Sequence, residues 1–476
     1  MRERFTAVAF ALVVLVSSVS LALPGAGAGG DNPFENLDPG SSLDQRSALD
    51  DPEPGDTDTT PGTTFASVEA LHETGIEGEG VSVGVIGNQF AANHQSLSGS
   101  VADSRQFGGP QPLLAGDRHD TAVAEIVSRT APEAELYLAG VGSVGTPERY
   151  AAAVEWLIEQ DVDVVVDAAS YFPADAEGME RLNAIATEAA DNGVVFVTSA
   201  GNYADRHWRG TATEAGWVEF EPGTAYNSLG DGPVSGTASL RLYWQGDADF
   251  DLYLYRNDPG EDTLVAKSET NQTTDGSHSE AIDVTLPRGE YYVAVRGDAV
   301  AANTTVELFS AGHDLTATSD SGGMVAPATA ENVIAVGAVD AVSGDARPYS
   351  SSGSNLDILA PDGARTQSAG EFYGSSAAAP LVAGTVALMA SENESLTPAE
   401  AQQVLERTAV RVDGRLYLDT PGAVSSVASR PLPRPTRTGW HTTGPNRGPA
   451  EHSGAEAWTE RNASATNTTT VAVEGL

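Results

Sequence analysis

Five short apolar runs, at 81–86, 134–139, 162–166, 194–198 and 333–339, recur along this chain with amphipathic helical patterns between them. Strands that carry apolar residues on both faces belong inside a sheet covered on both sides. Helical crossovers provide that cover when the strands run parallel. The helical patterns lie at 147–160, 175–192, 376–391 and 398–408. The expected fold class is therefore α/β, a parallel sheet flanked by helices, with any chemistry at the carboxyl ends of its strands.

Between residues 205 and 315 the texture changes. Alternating stretches at 239–244, 251–255, 281–286, 291–295 and 305–309 are separated by turn residues and show no helical period. That pattern predicts an all-β sandwich inserted into the α/β unit, dividing it into parts at 65–204 and 316–427. Asp247, Asp249 and Asp251 alternate at the start of one predicted strand. On a strand all three would share a face and could collect a structural calcium ion, although in so acidic a chain the same pattern also makes a solvated face.

Three remote segments carry residues suited to acyl chemistry. Gly374-Ser375-Ser376-Ala377-Ala378-Ala379-Pro380 runs into an apolar helix, which places a serine beside the unpaired N–H groups of a first helical turn. Arg118-His119-Asp120-Thr121 opens an amphipathic helix with a histidine suited to general-base work. The strand at 194–198 ends in Ser199-Ala200-Gly201-Asn202, whose amide can donate to an oxyanion.

Together these segments resemble the subtilisin-like serine peptidases, whose chain order is Asp, His, Asn, Ser. The resemblance covers roughly 63–427 apart from the insertion, and it assigns the nucleophile to Ser376, the base to His119 and the oxyanion amide to Asn202. Ala169-Ser170-Tyr171 is similar to the family's substrate-pairing segment, which binds an extended peptide as an added strand. No cofactor is required by such a mechanism.

Two positions depart from the family pattern. Its aspartate ends the first core strand, and here Val83-Gly84-Val85-Ile86 runs into Gly87-Asn88 instead; the glycine that follows the family's histidine is here Asp120. Successive helical side chains point about 100° apart, so Asp120 is not expected behind the imidazole and reads as a first-turn residue facing the helix dipole. Asp103 and Asp117 would reach it only if loops folded back, and Asn88 offers a carbonyl without charge. The expected function is a secreted serine endopeptidase, possible reduction of its activity following from the absent aspartate. The alternative is an inactive relative that binds peptides or surfaces.

The chain carries 67 acidic against 25 basic residues, a formal charge of −42, and Lys267 is its only lysine. Such a surface repels nucleic acid and anionic membranes, leaving a peptide or protein substrate as the expected partner of a monomer. It also resembles proteins of extreme halophiles, in which salt screens the self-repulsion that opposes folding. Arg2 and Arg4 precede an apolar run at 5–23 and small residues at 26–29, the layout of a signal peptide over 1–29 that leads to secretion and, once cleaved, leaves no stable membrane partner. Segments 30–64 and 428–476 are rich in polar, Pro and Gly residues and are expected to be an acidic linker and a disordered tail. There is no cysteine, so neither disulfides nor thiol-ligated metals contribute.

Overall fold

The computed structural model describes residues 13–15, 63–108, 116–142, 146–173, 175–272, 277–300 and 303–428. The expected linker and tail lie outside the described residues almost entirely, and so does the expected signal peptide apart from a short strand, β1 (Val13–Leu15). No helix among the described residues is long and apolar enough to cross a membrane.

The α/β unit opens with α1 (Thr63–His72), β2 (Ser82–Gly87), β3 (Val101–Gln106), α2 (Gly116–Thr130) and β4 (Glu135–Gly140). It continues through α3 (Pro147–Glu159), β5 (Val164–Asp167), β6 (Ser170–Phe172), α4 (Ala176–Asp191) and β7 (Val195–Ser199). The insertion contributes β8 (His207–Ala212), β9 (Gly216–Trp217), β10 (Asn227–Ser228), β11 (Val234–Gln245), β12 (Asp249–Arg256), β13 (Thr263–Ser268), β14 (Ser277–Gly289), β15 (Tyr291–Ala299) and β16 (Thr304–Ser310). The unit then resumes with β17 (Ile334–Val339), β18 (Ile358–Pro361), β19 (Ala364–Thr366), β20 (Gly370–Phe372), α5 (Ser375–Glu392), α6 (Pro398–Thr408), β21 (Val410–Val412), β22 (Arg415–Tyr417) and α7 (Thr420–Val427).

The main sheet has the order β21-β22-β18-β17-β7-β5-β2-β4-β3, parallel apart from the β21–β22 pair. Side-chain alternation divides its core in two. Val83, Val85, Val164, Val166, Val195 and Val197 face one layer with α1, α2, α5 and α7, whereas Ile86, Val165, Val194 and Phe196 face the other with α3 and α4. Glycine sets two close approaches. A Cβ at Gly84 would stand 2.8 Å from Leu157 of α3, and one at Gly384 would stand 2.4 Å from Thr130, so the lack of a side chain at Gly384 lets α5 lie directly against α2.

β3 was absent from the sequence reading for a physical reason. It is an edge strand with five of its six residues exposed, so it carries no apolar signal.

The insertion forms two antiparallel sheets, β10-β15-β12-β13 with β9 on β15, and β14-β11-β16-β8. Their inner faces share a core of their own that includes Trp208, Leu240, Leu242, Phe250, Leu254 and Val293. The sandwich is fastened to the chain at the end of β6. The buried Arg241 donates to the Phe172 carbonyl at 3.2 Å and holds Asp283 through two bonds of 3.1 and 2.9 Å, while the Tyr243 hydroxyl donates to the Pro173 carbonyl at 2.7 Å.

Asp247 lies in the exposed turn before β12. Asp249 accepts from Asn271 Nδ2 at 3.0 Å and from the Gln272 N–H at 2.8 Å, and Asp251 accepts from the Tyr253 hydroxyl at 3.1 Å. Among the described residues no three His, Asp or Glu side chains are grouped to hold a metal ion.

Candidate active site

The carboxyl ends of β2, β5 and β7 lie side by side, and the candidate residues gather there with the start of α5. A carboxylate stands behind His119 after all, and it is Asp120. Its Oδ1 accepts from His119 Nδ1 at 2.8 Å, while Oδ2 accepts from the N–H groups of Asn88 at 2.6 Å and Gln89 at 3.0 Å. This corrects the expectation that Asp120 merely faces the helix dipole. Nδ1 lies next to the ring's attachment to Cβ, so a neighbouring side chain that bends back can reach it even though the two Cβ vectors diverge.

Gly87 is what makes room for this arrangement. A Cβ built at Gly87 would stand 2.6 Å from Asp120 Cγ and 2.9 Å from its Oδ2, so the Asp120 carboxylate fills the volume that a side chain at the end of β2 would occupy. The other proposed substitutes are not used. Asn88 contributes its backbone N–H, its side-chain carbonyl is buried without a partner, and Asp103 is exposed on β3. The side chain of Asp117 lies outside the described residues.

His119 and Asp120 are each about 2 % exposed, and the Phe372 ring packs edge-on against the imidazole at 5.1 Å. The Glu125 carboxylate of α2 fixes that contact by accepting from the N–H groups of Gln367 at 2.6 Å and Ser368 at 3.2 Å, which pins the β19–β20 hairpin onto α2. Imidazole Nε2 is buried with no hydrogen-bond partner. A buried polar atom left unpaired is uncommon in folded proteins, and here it is the nitrogen that a proton-accepting role requires.

Asn202 is oriented by the turn into α5. Its Oδ1 accepts from the Ser375 N–H at 2.9 Å and from the Ser375 hydroxyl at 3.1 Å. The backbone N–H can only donate, so the amide oxygen is the end that faces it and Nδ2 takes the opposite side. That side lies against Gly374, where φ is 102° and a Cβ would stand 2.7 Å from Nδ2. Asp362, after β18, holds the same turn. Fully buried, it accepts from the Gly374 N–H at 3.0 Å, from Arg347 Nε at 2.8 Å and from the Tyr349 hydroxyl. Sequence reasoning passed over this residue, although an aspartate ending a buried apolar strand was a signal.

The Ser376 hydroxyl donates to the Ala168 carbonyl at 2.9 Å, and Ser376 is 2 % exposed. Serine and histidine thus share one end of the sheet without a hydrogen bond between them in this state. The Ser376 N–H, in the first turn of α5, has no intrahelical acceptor.

Ala169, Ser170 and Tyr171 border the same end of the sheet. Ala169 donates its N–H to Asp167 Oδ1 at 3.0 Å, and the Tyr171 N–H bonds the Ala326 carbonyl at 3.1 Å. β1 pairs antiparallel with β6, Val14 opposite Tyr171 and Leu15 opposite Ser170, so this edge accepts an extended strand.

Asp167 was also missed. It ends β5 beside β2, is fully buried and accepts from the Tyr150 hydroxyl at 2.9 Å. Burial raises its pKa to about 7, the N–H of Ala169 and the Tyr150 hydroxyl oppose that rise, and the Asp120 charge adds to it. An unfolded aspartate releases its proton near 4, so between about pH 4 and 7 the folded chain holds a proton that the unfolded chain has lost. Stability is expected to fall as pH rises through that window, by at most on the order of 4 kcal/mol. Asp167→Asn should remove this dependence. Denaturant melts in constant salt should show the variant gaining on its parent from pH 4 to pH 8, and parallel pH profiles would contradict the assignment.

Comparison with known proteins bears on the family and the fold. Subtilisin E of Bacillus subtilis is 39% identical over 97 residues, covering 19% of this chain and 25% of its own length. The subtilisin-like protease het-Q2 of Podospora anserina is 30% identical over 162 residues, 30% of this chain and 42% of its length. The chain therefore spans less than half the length of these curated relatives. Among solved structures, the Clostridium perfringens CspB protease superposes with a TM-score of 0.57 at 14% identity, over 77% of this chain and 99% of that one, a likeness of fold. The sequence model of the subtilase family matches residues 78–230 and 227–430, about three quarters of the sequence. With its parallel sheet and with serine, histidine and asparagine at the positions described, this chain belongs to the subtilase family.

Proposed function

We propose that this protein is an exported serine endopeptidase in which Asp120, adjacent in sequence to His119, does the work of the family's strand-end aspartate. The observation that carries the reading is the 2.8 Å bond from His119 Nδ1 to Asp120 Oδ1 across the space left by Gly87. Ser376 Oγ attacks the peptide carbonyl as His119 Nε2 takes its proton, and the same proton passes to the leaving amine. Asp120 keeps the proton on Nδ1 and stabilises the imidazolium. The oxyanion forms between Asn202 Nδ2 and the Ser376 N–H. For attack the Ser376 side chain turns from the Ala168 carbonyl toward His119, and an extended substrate takes the edge of β6 where β1 lies. Export rests on Arg2, Arg4 and the apolar run that follows them.

A fluorophosphonate probe applied in molar KCl tests this reading. Ser376 should be labelled in the natural chain, with peptide hydrolysis in parallel, and Ser376→Ala should abolish both. A folded chain that neither labels nor hydrolyses a peptide mixture would favour the inactive, peptide-binding alternative.

A further inference from the structure

The inserted sandwich has a sheet face that departs from the usual rule. Along β12 and β15 the inward residues Phe250, Leu252, Leu254, Val293 and Val295 are fully buried, and the alternate residues should be polar. Three of them are tyrosines instead, Tyr253 and Tyr255 on β12 and Tyr292 on β15, beside Asp251, Ala294 and Arg296. Tyr255 stands opposite Tyr292 across the two strands with near-parallel rings 5.3 Å apart, Tyr253 follows at 6.3 Å, Trp217 lies 5.5 Å from Tyr253, and Tyr226 lies 5.4 Å from Tyr292. Trp217 and Tyr226 are 50% and 52% exposed, and Leu264, paired with Tyr255 on the neighbouring strand, is 44% exposed. Three of the five large apolar side chains exposed among the described residues thus lie on this one face, as at an interaction site.

Trp217, Tyr226, Tyr255 and Tyr292 border a groove of about 910 Å³, within the size range of ligand sites. Its polar lining includes Asp231, Asp262, Glu290 and Asn257, and neither Lys nor Arg lines it. Asp262 accepts from the Tyr292 hydroxyl at 2.9 Å and Glu290 from Asn257 Nδ2 at 3.1 Å, so both carboxylates are held beside the rings. The ring faces and the held carboxylates of Asp262 and Glu290 suit a cation rather than an anion. The −42 charge of the chain draws cations in from a distance.

We propose that this groove binds arginine side chains of an extended polypeptide. Guanidinium is planar, weakly hydrated and stacks on aromatic faces, so its attraction survives salt that screens a lysine ammonium. Alternate side chains of an extended strand recur about every 6.8 Å, somewhat more than the 5.3 and 5.4 Å steps between the Tyr255, Tyr292 and Tyr226 rings that line the groove. The groove binds whether or not Ser376 is catalytic.

The test is calorimetric titration of the full-length Ser376→Ala chain in 0.5 and 2 M KCl. The probes are a peptide with arginine at alternate positions, its lysine counterpart and cellohexaose. The arginine peptide should bind more tightly than the lysine peptide at both salts. Trp217→Ser combined with Tyr226→Ser, which leaves charge unchanged, should weaken it about tenfold or more, and Asp262→Asn with Glu290→Gln should weaken it as well. Melting temperatures confirm that the variants are folded, and the two pairs perturb the site independently. Affinity within twofold of the parent in the first pair would reduce the effect to general attraction by an acidic surface and overturn the proposal. Binding of cellohexaose with no binding of the arginine peptide would overturn it too.

Discussion

Asp120→Asn is expected to lower kcat by about four orders of magnitude with little change in KM, the loss known for serine peptidases deprived of the carboxylate behind histidine. An asparagine still offers one oxygen to the N–H groups of Asn88 and Gln89, so the turn after β2 should hold. What it removes is the charge facing His119 Nδ1. An amide that presents its NH2 to the ring selects the wrong tautomer, and one that presents its oxygen stabilises the imidazolium far less. Fluorophosphonate labelling of Ser376 should slow by a similar factor while the melting temperature shifts little. A variant that keeps a tenth or more of parental kcat would show that Asp120 is a bystander.

Gly87→Asp, which restores the family residue at the end of β2, is expected to harm this protein rather than improve it. The new Cβ would stand 2.6 Å from Asp120 Cγ, and two carboxylates would then share a site with N–H donors for one. Overpacking of this kind costs about 1–3 kcal/mol, and like charges in one buried site add to it by forcing one carboxylate to take a proton. Displacement of Asp120 would also disturb the His119 ring, so kcat should fall about a hundredfold or more. Paired melts and peptidase assays check both effects.

Much of the fold was legible before any coordinates. Runs at 162–166 and 194–198 are apolar on successive residues, apart from Asp163 and Thr198, because both faces of β5 and β7 are covered, and the alternating stretches of the insertion are so because each sheet of the sandwich has one outer face. The exposed edge strand β3 left no such mark. Within the site, Ser376, His119 and Asn202 were legible because local motifs carry them. The carboxylate was not. Gly87 and Asp120 were read as two separate departures, whereas the structure joins them as one exchange: a side chain lost from the strand end and one gained beside the histidine occupy the same volume. Contact between positions 33 residues apart is tertiary information, and helical periodicity describes where Cβ points rather than where a carboxylate ends. Asp167 and Asp362 escaped for a related reason, since their roles depend on burial and on Tyr150, Arg347 and the Gly374 N–H, none of them near in sequence.

The most direct measurement is kcat/KM for four proteins: the natural chain, Gly87→Asp, Asp120→Gly, and the two changes together. If one carboxylate can be supplied from either side of the same contact, each single change should be poor and the double change should return to within about tenfold of the natural chain, a coupling that independent sites do not show. Gly87→Asp alone raising activity, or the double variant remaining as poor as Asp120→Gly, would contradict the claim that Asp120 has taken the strand aspartate's place.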